Sequence, residues 1–170
     1  MDVMSLFLLQ PDDQIREQCK IMDPRTLARF TQTNKRIRDL CGDILAAHKE
    51  NYNKQKKELL RFFTEQPGKT FLFEKEGDFN HQFSITNSMC FPDSISMMFV
   101  PRDEVFADFL SKIPNVKSGG YYYNVSKDLL SDEIKLDILK MAKKLGYTNV
   151  RLYHGWGYTV FKSLNEFYII

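Results

Sequence analysis

The chain has 170 residues, of which 43% are hydrophobic, 27% charged and 14% aromatic. That composition excludes a disordered, collagen-like or low-complexity chain, and the length holds one ordinary domain, or a small domain with an attached helical module, rather than a multidomain enzyme. Twenty-four basic against 22 acidic residues leave a formal charge of only +2, close to neutral on both sides of Gln66, which disfavours a dedicated nucleic-acid binder.

Three cysteines, Cys19, Cys41 and Cys90, form an odd set without CxxC spacing, so a reducing compartment is expected. The run Met4 to Leu9 is short and apolar, with neither a basic flank nor a cleavage site, so no signal peptide is expected, and no apolar stretch approaches the roughly 20 residues that cross a bilayer. The sequon Asn124-Val125-Ser126 then has no glycosylating context.

In chain order, Pro11 to Cys19 can start a helix, with Asp12 and Asp13 at its positive end. Asp23-Pro24 restarts it as N-cap and first helical residue, placing Leu27, Phe30 and Thr31 on one face. Asn34 through Leu40 predicts a third piece stopped at Gly42. A long polar helix from Asp43 to Glu65 follows, with Ile44, Ala47, Tyr52, Leu59 and Phe63 available for packing. Beyond Pro67-Gly68 the pattern changes, and 18 of the 23 aromatic residues lie there.

Thr70 to Lys75, Gln82 to Thr86 and Ser94 to Pro101 read as strands. Asp103 to Ile113 and Ser131 to Leu145 read as amphipathic helices, the second ended by Gly146. Val150 to Tyr153 and Tyr158 to Phe161 read as a hairpin around His154-Gly155-Trp156-Gly157, and Phe167 to Ile170 as a last strand. The expected class is α+β, with a helical module over 1–42, a linking helix over 43–66 and an aromatic-rich α+β domain over 67–170. No internal repeat is visible.

The segment Gln10 to Leu40 resembles an F-box, the helical module by which substrate receptors dock on the adaptor of a cullin-RING ubiquitin ligase. Pro11, Asp12, Asp13, Ile15, Met22, Asp23, Leu27, Phe30, Asn34, Lys35, Ile37 and Leu40 occupy the matching positions. Met22 to Leu40 matches best, whereas Gln10, Gln14, Gln18 and Lys20 make the first helix more polar than the family's. The resemblance implies an adaptor protein as partner, contacted through Pro11, Ile15, Met22, Leu27, Phe30, Ile37 and Leu40, and an intracellular place of action in cytoplasm or nucleus. The layout also resembles small proteins encoded by large DNA viruses, which adds the host cell or the virion. The module is about 35 residues long, too short to enclose a full core, so its apolar side chains must find a partner or the rest of the chain. The alternative is a virion or scaffold protein in which these helices are ordinary core.

Enzyme readings find less. There is no GxGxxG or GKS/GKT string, and His48, His81 and His154 lack metal-ligand spacing, so no cofactor or metal is expected. Cys90 followed by His154, with Asn165 or Asn149 as orienter, is the one arrangement able to support a thiolate nucleophile with base and orienter. Met89 to Ile95 faintly resembles the nucleophile segment of ovarian-tumour-type deubiquitinases, without the Asp-Gly before the cysteine. A target protein would meet the aromatic loop instead. Trp156 sits between two glycines with Tyr153 and Tyr158 beside it, and Tyr and Trp are the residues enriched at binding hot spots. The sequence thus predicts a non-enzymatic receptor that docks through its N-terminal helices and recruits an unidentified protein through Tyr153, Trp156 and Tyr158, with neither nucleic acid nor membrane as partner.

Overall fold

Apolar residues at helical spacing fill the first third, whereas strands mixed with helices follow, and the chain separates into two compact units, Met1–Lys54 and Gln55–Ile170. The computed structural model describes residues 2–64, 68–89, 91, 93–153 and 155–170, with the backbone alone at 64, 160 and 161.

The first unit is built from α1 (Val3–Leu8), α2 (Asp12–Ile21), α3 (Pro24–Thr33) and the beginning of α4 (Lys35–Thr64). Two of the starts are capped by a carboxylate. The Asp2 carboxylate accepts from the Ser5 amide, and Asp23 accepts from the amides of Arg25 and Thr26 with Pro24 in the first turn, satisfying donors that have no partner inside a helix. One residue, Asn34, turns the chain from α3 into α4. Its amide donates to the Phe30 carbonyl, and its side-chain oxygen accepts from the Ile37 amide at 3.1 Å. The expected stop at Gly42 does not occur, and α4 runs unbroken for 30 residues, because glycine weakens a helix interior without forbidding it.

The core of this unit is small: Phe7, Ile15, Cys19, Leu27, Ile37 and Cys41, with Met22, Phe30 and Leu40 packed against it. Two arginines reinforce it. Arg16 of α2 donates to both carboxylate oxygens of Asp43 and to the Leu40 carbonyl on α4. Arg36 of α4 donates to the Asp12 carboxylate and to the carbonyls of Leu8 and Gln10, holding the α1–α2 turn.

The second unit is a seven-stranded antiparallel sheet. Its strands are β1 (Thr70–Lys75), β2 (Asp78–Asn87), β3 (Ser94–Val100), β4 (Lys117–Ser118), β5 (Tyr122–Ser126), β6 (Tyr147–Tyr153) and β7 (Tyr158–Ser163), in the order β4-β5-β3-β2-β1-β6-β7. Helices α5 (Glu104–Ser111) and α6 (Asp132–Lys144) complete it, and α6 carries the chain from β5 to β6 on the far side of β1. Alternate residues turn Phe71, Phe73, Phe83, Ile85, Met97, Phe99, Tyr123 and Val150 into one core with Phe106, Leu110, Ile138, Leu139 and Ala142 of the helices. Asp103 caps α5 through the Phe106 amide and accepts from the buried Tyr147 hydroxyl at 2.8 Å, tying β6 to that helix. Burial, followed by the Asp103 carboxylate, raises the Tyr147 phenol above its ordinary value, so it stays neutral.

Two further expectations are corrected here. The boundary lies at Lys54/Gln55, not at Pro67-Gly68; Pro67 itself lies outside the described residues. The reason is packing: Leu59, Phe62 and Phe63 at the end of α4 are fully buried in the sheet's core, and the Phe62 ring meets Phe71 and Phe73 edge-on at 4.9 and 5.3 Å. The buried Asn87 side chain also donates through Nδ2 to the Phe62 carbonyl, one of the acceptors left open at a helix end. Phe167 to Ile170 is not a strand. Its backbone is taken up by side chains: Gln55 accepts from the Tyr168 and Ile169 amides, and Lys143 donates to the carbonyls of Phe167 and Ile170, which leaves none of those groups for a sheet ladder.

A fragment beginning at Gln55 should therefore melt cooperatively, whereas one beginning at Lys69 should aggregate, since it loses three buried side chains of the core. In the full chain, Phe62→Ala should cost about 3–5 kcal/mol in chemical denaturation of the sheet unit. Equal stability of the two fragments would contradict this division.

Candidate functional site

In the helical unit, the seven residues assigned to adaptor docking divide by burial. Ile15, Leu27 and Ile37 are fully buried, and Met22, Phe30 and Leu40 are half-buried against the same cluster. Pro11 alone is exposed. The three interior residues therefore shape the module and do not present a surface, because a side chain without accessible area offers a partner nothing to touch.

The unit shows other apolar groups instead. Val3 and Leu6 of α1 and Leu9 at its C-cap recur at i, i+3 and i+6, and Ile21 closes α2; Val3 is 84% and Ile21 87% exposed. The periodicity of Val3, Leu6 and Leu9 was legible in the sequence as one helical stripe, but only the folded unit shows that Phe7 turns inward while the stripe turns out.

Buried cysteine chemistry is quiet. Cys19 and Cys41 are both fully buried. Burial, aided by a hydrogen bond with Cys41, pushes the Cys19 thiol up to about 12, so it carries no thiolate at neutral pH. Of the hydrolase arrangement, Cys90 and His154 lie outside the described residues. Asn149 lies on β6, and the Asn165 amide donates to Ser163 in a short turn after β7.

The aromatic loop lies on the β6–β7 hairpin. Tyr153 and Tyr158 pair across the two strands, with ring centroids 5.1 Å apart at 45°. Between them, Gly155 and Gly157 adopt φ of +88° and +149°, a region that side-chain-bearing residues avoid. The glycines reverse the chain, and Trp156 is left 96% exposed. An indole in water has given up the apolar burial that stabilises most tryptophans.

The face of the sheet opposite the core carries further open groups, among them Tyr121 and Tyr122 of the aromatic run 121–123, whose third member, Tyr123, is buried. Met98, Val100, Pro101, Tyr121 and Tyr122 line a hollow of about 400 Å³. In a second, of about 210 Å³, the Glu74 carboxylate is only 5% exposed and sits 3.4 Å from Arg151. Among the described residues no group of three His, Cys, Asp or Glu side chains gathers as a metal site, and no helix is long and apolar enough to cross a membrane. No family model, curated protein or solved structure matches the chain.

Because Trp156 touches so little, Trp156→Ala should change stability by no more than about 0.5 kcal/mol in thermal or urea unfolding; a larger loss would mean that the indole is packed.

The carboxylates that hold the helical unit set its acid sensitivity. Asp43 is lowered by its hydrogen bond from Arg16, Asp23 by those from Thr26 and Asp2 by that from Ser5. A carboxylate lowered on folding contributes stability that is present above its unfolded value and lost as pH falls through the folded one. The helical circular-dichroism melt should therefore hold between about pH 5 and 8 and drop below about pH 4. Asp43→Asn should flatten that drop, and an unchanged acid limb would remove the Arg16–Asp43 clamp from the account.

Proposed function

We propose that the chain is a non-enzymatic, F-box-like substrate receptor: its N-terminal helices dock on the adaptor of a cullin-RING ubiquitin ligase, and its sheet unit recruits a target protein. The observation that carries the reading is a helical unit that buries Ile15, Leu27 and Ile37 while leaving Val3, Leu6, Leu9 and Ile21 in solvent beside exposed Pro11. Four large apolar side chains on so small a unit are a cost in water unless a partner covers them.

The resemblance of Gln10 to Leu40 supplies the identity of that partner. The start signals fit it as well: Asp23 is the N-cap and Pro24 stands in the first turn of α3. On this reading the contact is made by Pro11, by the accessible parts of Met22, Phe30 and Leu40, and by the exposed apolar groups. Ile15, Leu27 and Ile37 keep the helices in register. The ligase pathway places the protein in cytoplasm or nucleus.

Trp156 with Tyr153 and Tyr158 is the target-facing surface in this reading. A rigid aromatic set brings large contact area with little side-chain entropy to lose. The target is recruited without chemistry on the chain itself.

Isothermal titration of the full chain with purified adaptor should show binding at about 50 μM or tighter. The triple variant Leu6→Glu, Leu9→Glu, Ile21→Glu should weaken it at least roughly tenfold, about 1.4 kcal/mol, with an unchanged melting curve because all three positions are exposed. Leu27→Ala should instead lower stability by about 2–5 kcal/mol. Absence of binding by the folded wild type, or full binding by the triple variant, would overturn the reading.

A further inference from the structure

A groove on the helical unit runs between α3 and α4 and shares no residue with the exposed apolar set. It consists of two adjoining hollows of about 340 and 350 Å³ that have Ala28, Leu45 and Lys49 in common. Gly42 lines the second, in the interior of α4.

Nothing inside the protein calls for a glycine there. It lies within the unbroken α4, and a Cβ built on it would meet no atom within 4 Å. Glycine is the poorest helix former after proline, and alanine would fit. What the missing side chain provides is depth, since Ala28, Gly42 and Leu45 make a small-walled apolar notch open to the outside.

The rim has one sign of charge. Arg25 and Lys49 line the groove, no acidic side chain does, and neither cation belongs to the ion pairs found among the described residues. Arg16 and Arg36, by contrast, are spent on Asp43 and Asp12. Arg38 adds charge at the far end, where it also donates to the carbonyls of Thr31 and Gln32 and so caps α3. His48 Nε2 is buried without a hydrogen-bond partner among the described residues.

We propose that this groove binds an acidic amphipathic helix of a partner protein, with a bulky apolar side chain seated over Gly42 and carboxylates meeting Arg25 and Lys49. A helix suits the groove because it satisfies its own backbone hydrogen bonds, and α3 and α4 offer no strand edge to an extended peptide. The ten residues of α3 span about 15 Å, enough for roughly three turns of a partner helix. Carboxylates are the complement that an all-cationic rim selects, and a basic helix would meet like charge. The inference does not depend on adaptor docking.

The test uses the full ¹⁵N-labelled chain and two synthetic peptides of about 15 residues, identical amphipathic helices with leucine on one face and either glutamate or lysine flanking it. The glutamate peptide should shift the amides of Ala28, Gly42, Leu45 and Lys49, and the lysine peptide should not. Arg25→Glu with Lys49→Glu, both exposed, should weaken the glutamate peptide at least about tenfold and confer binding of the lysine peptide. Gly42→Ala separates function from folding: it should raise the melting temperature yet weaken the glutamate peptide. Equal response to both peptides, shifts centred elsewhere, or unchanged binding by the charge-reversed variant would overturn the proposal. So would self-association of the chain through the same amides, which would make a second copy the occupant.

Discussion

A sheet with one face made of phenylalanine must be covered, and that requirement organises the second unit. Phe71, Phe73, Phe83 and Phe99 sit on alternate positions of three neighbouring strands, so their apolar area falls on one side. Helices α5 and α6 supply part of the cover. Leu59, Phe62 and Phe63 at the end of α4 add to it, as do Leu130, Leu164 and Phe167. The long helix therefore ends in the sheet's core, and the unit begins at Gln55.

The helical unit solves a different problem with fewer means. Six buried side chains cannot hold four helical segments by apolar contact alone, and charged groups do the remaining positioning. Arg16 spans α2 and α4 through Asp43, and Arg36 holds the turn between α1 and α2. These pairs are partly exposed and individually worth little. Their value is geometric, since they fix which faces turn outward.

Three of the outward-facing surfaces among the described residues stand out by their chemistry. The apolar stripe of α1, the cationic groove between α3 and α4, and the aromatic loop around Trp156 each expose groups that are costly or purposeless in isolation. The buried Cys19 and Tyr147 are held protonated. The three surfaces differ in chemistry: the first is apolar, the second cationic and the third aromatic.

The sequence by itself determined what depends on neighbours along the chain. Asp23-Pro24, Asp103 and Ser131 announce helix starts because a short polar side chain caps the amides that follow it. Alternation over Thr70 to Lys75 places that strand at both of its ends, and the two glycines around Trp156 announce an exposed aromatic turn. Tertiary structure decided whatever depended on a distant partner. Gly42 looks like a stop, yet α4 continues to reach the sheet's core. Phe167 to Ile170 has strand composition, but Gln55 and Lys143 take its backbone groups from more than twenty positions away. Leu27 and Ile37 fit a docking pattern, and only packing shows them turned inward. The division between buried and offered faces, on which any binding role rests, is a property of the assembled helices and not of any segment alone.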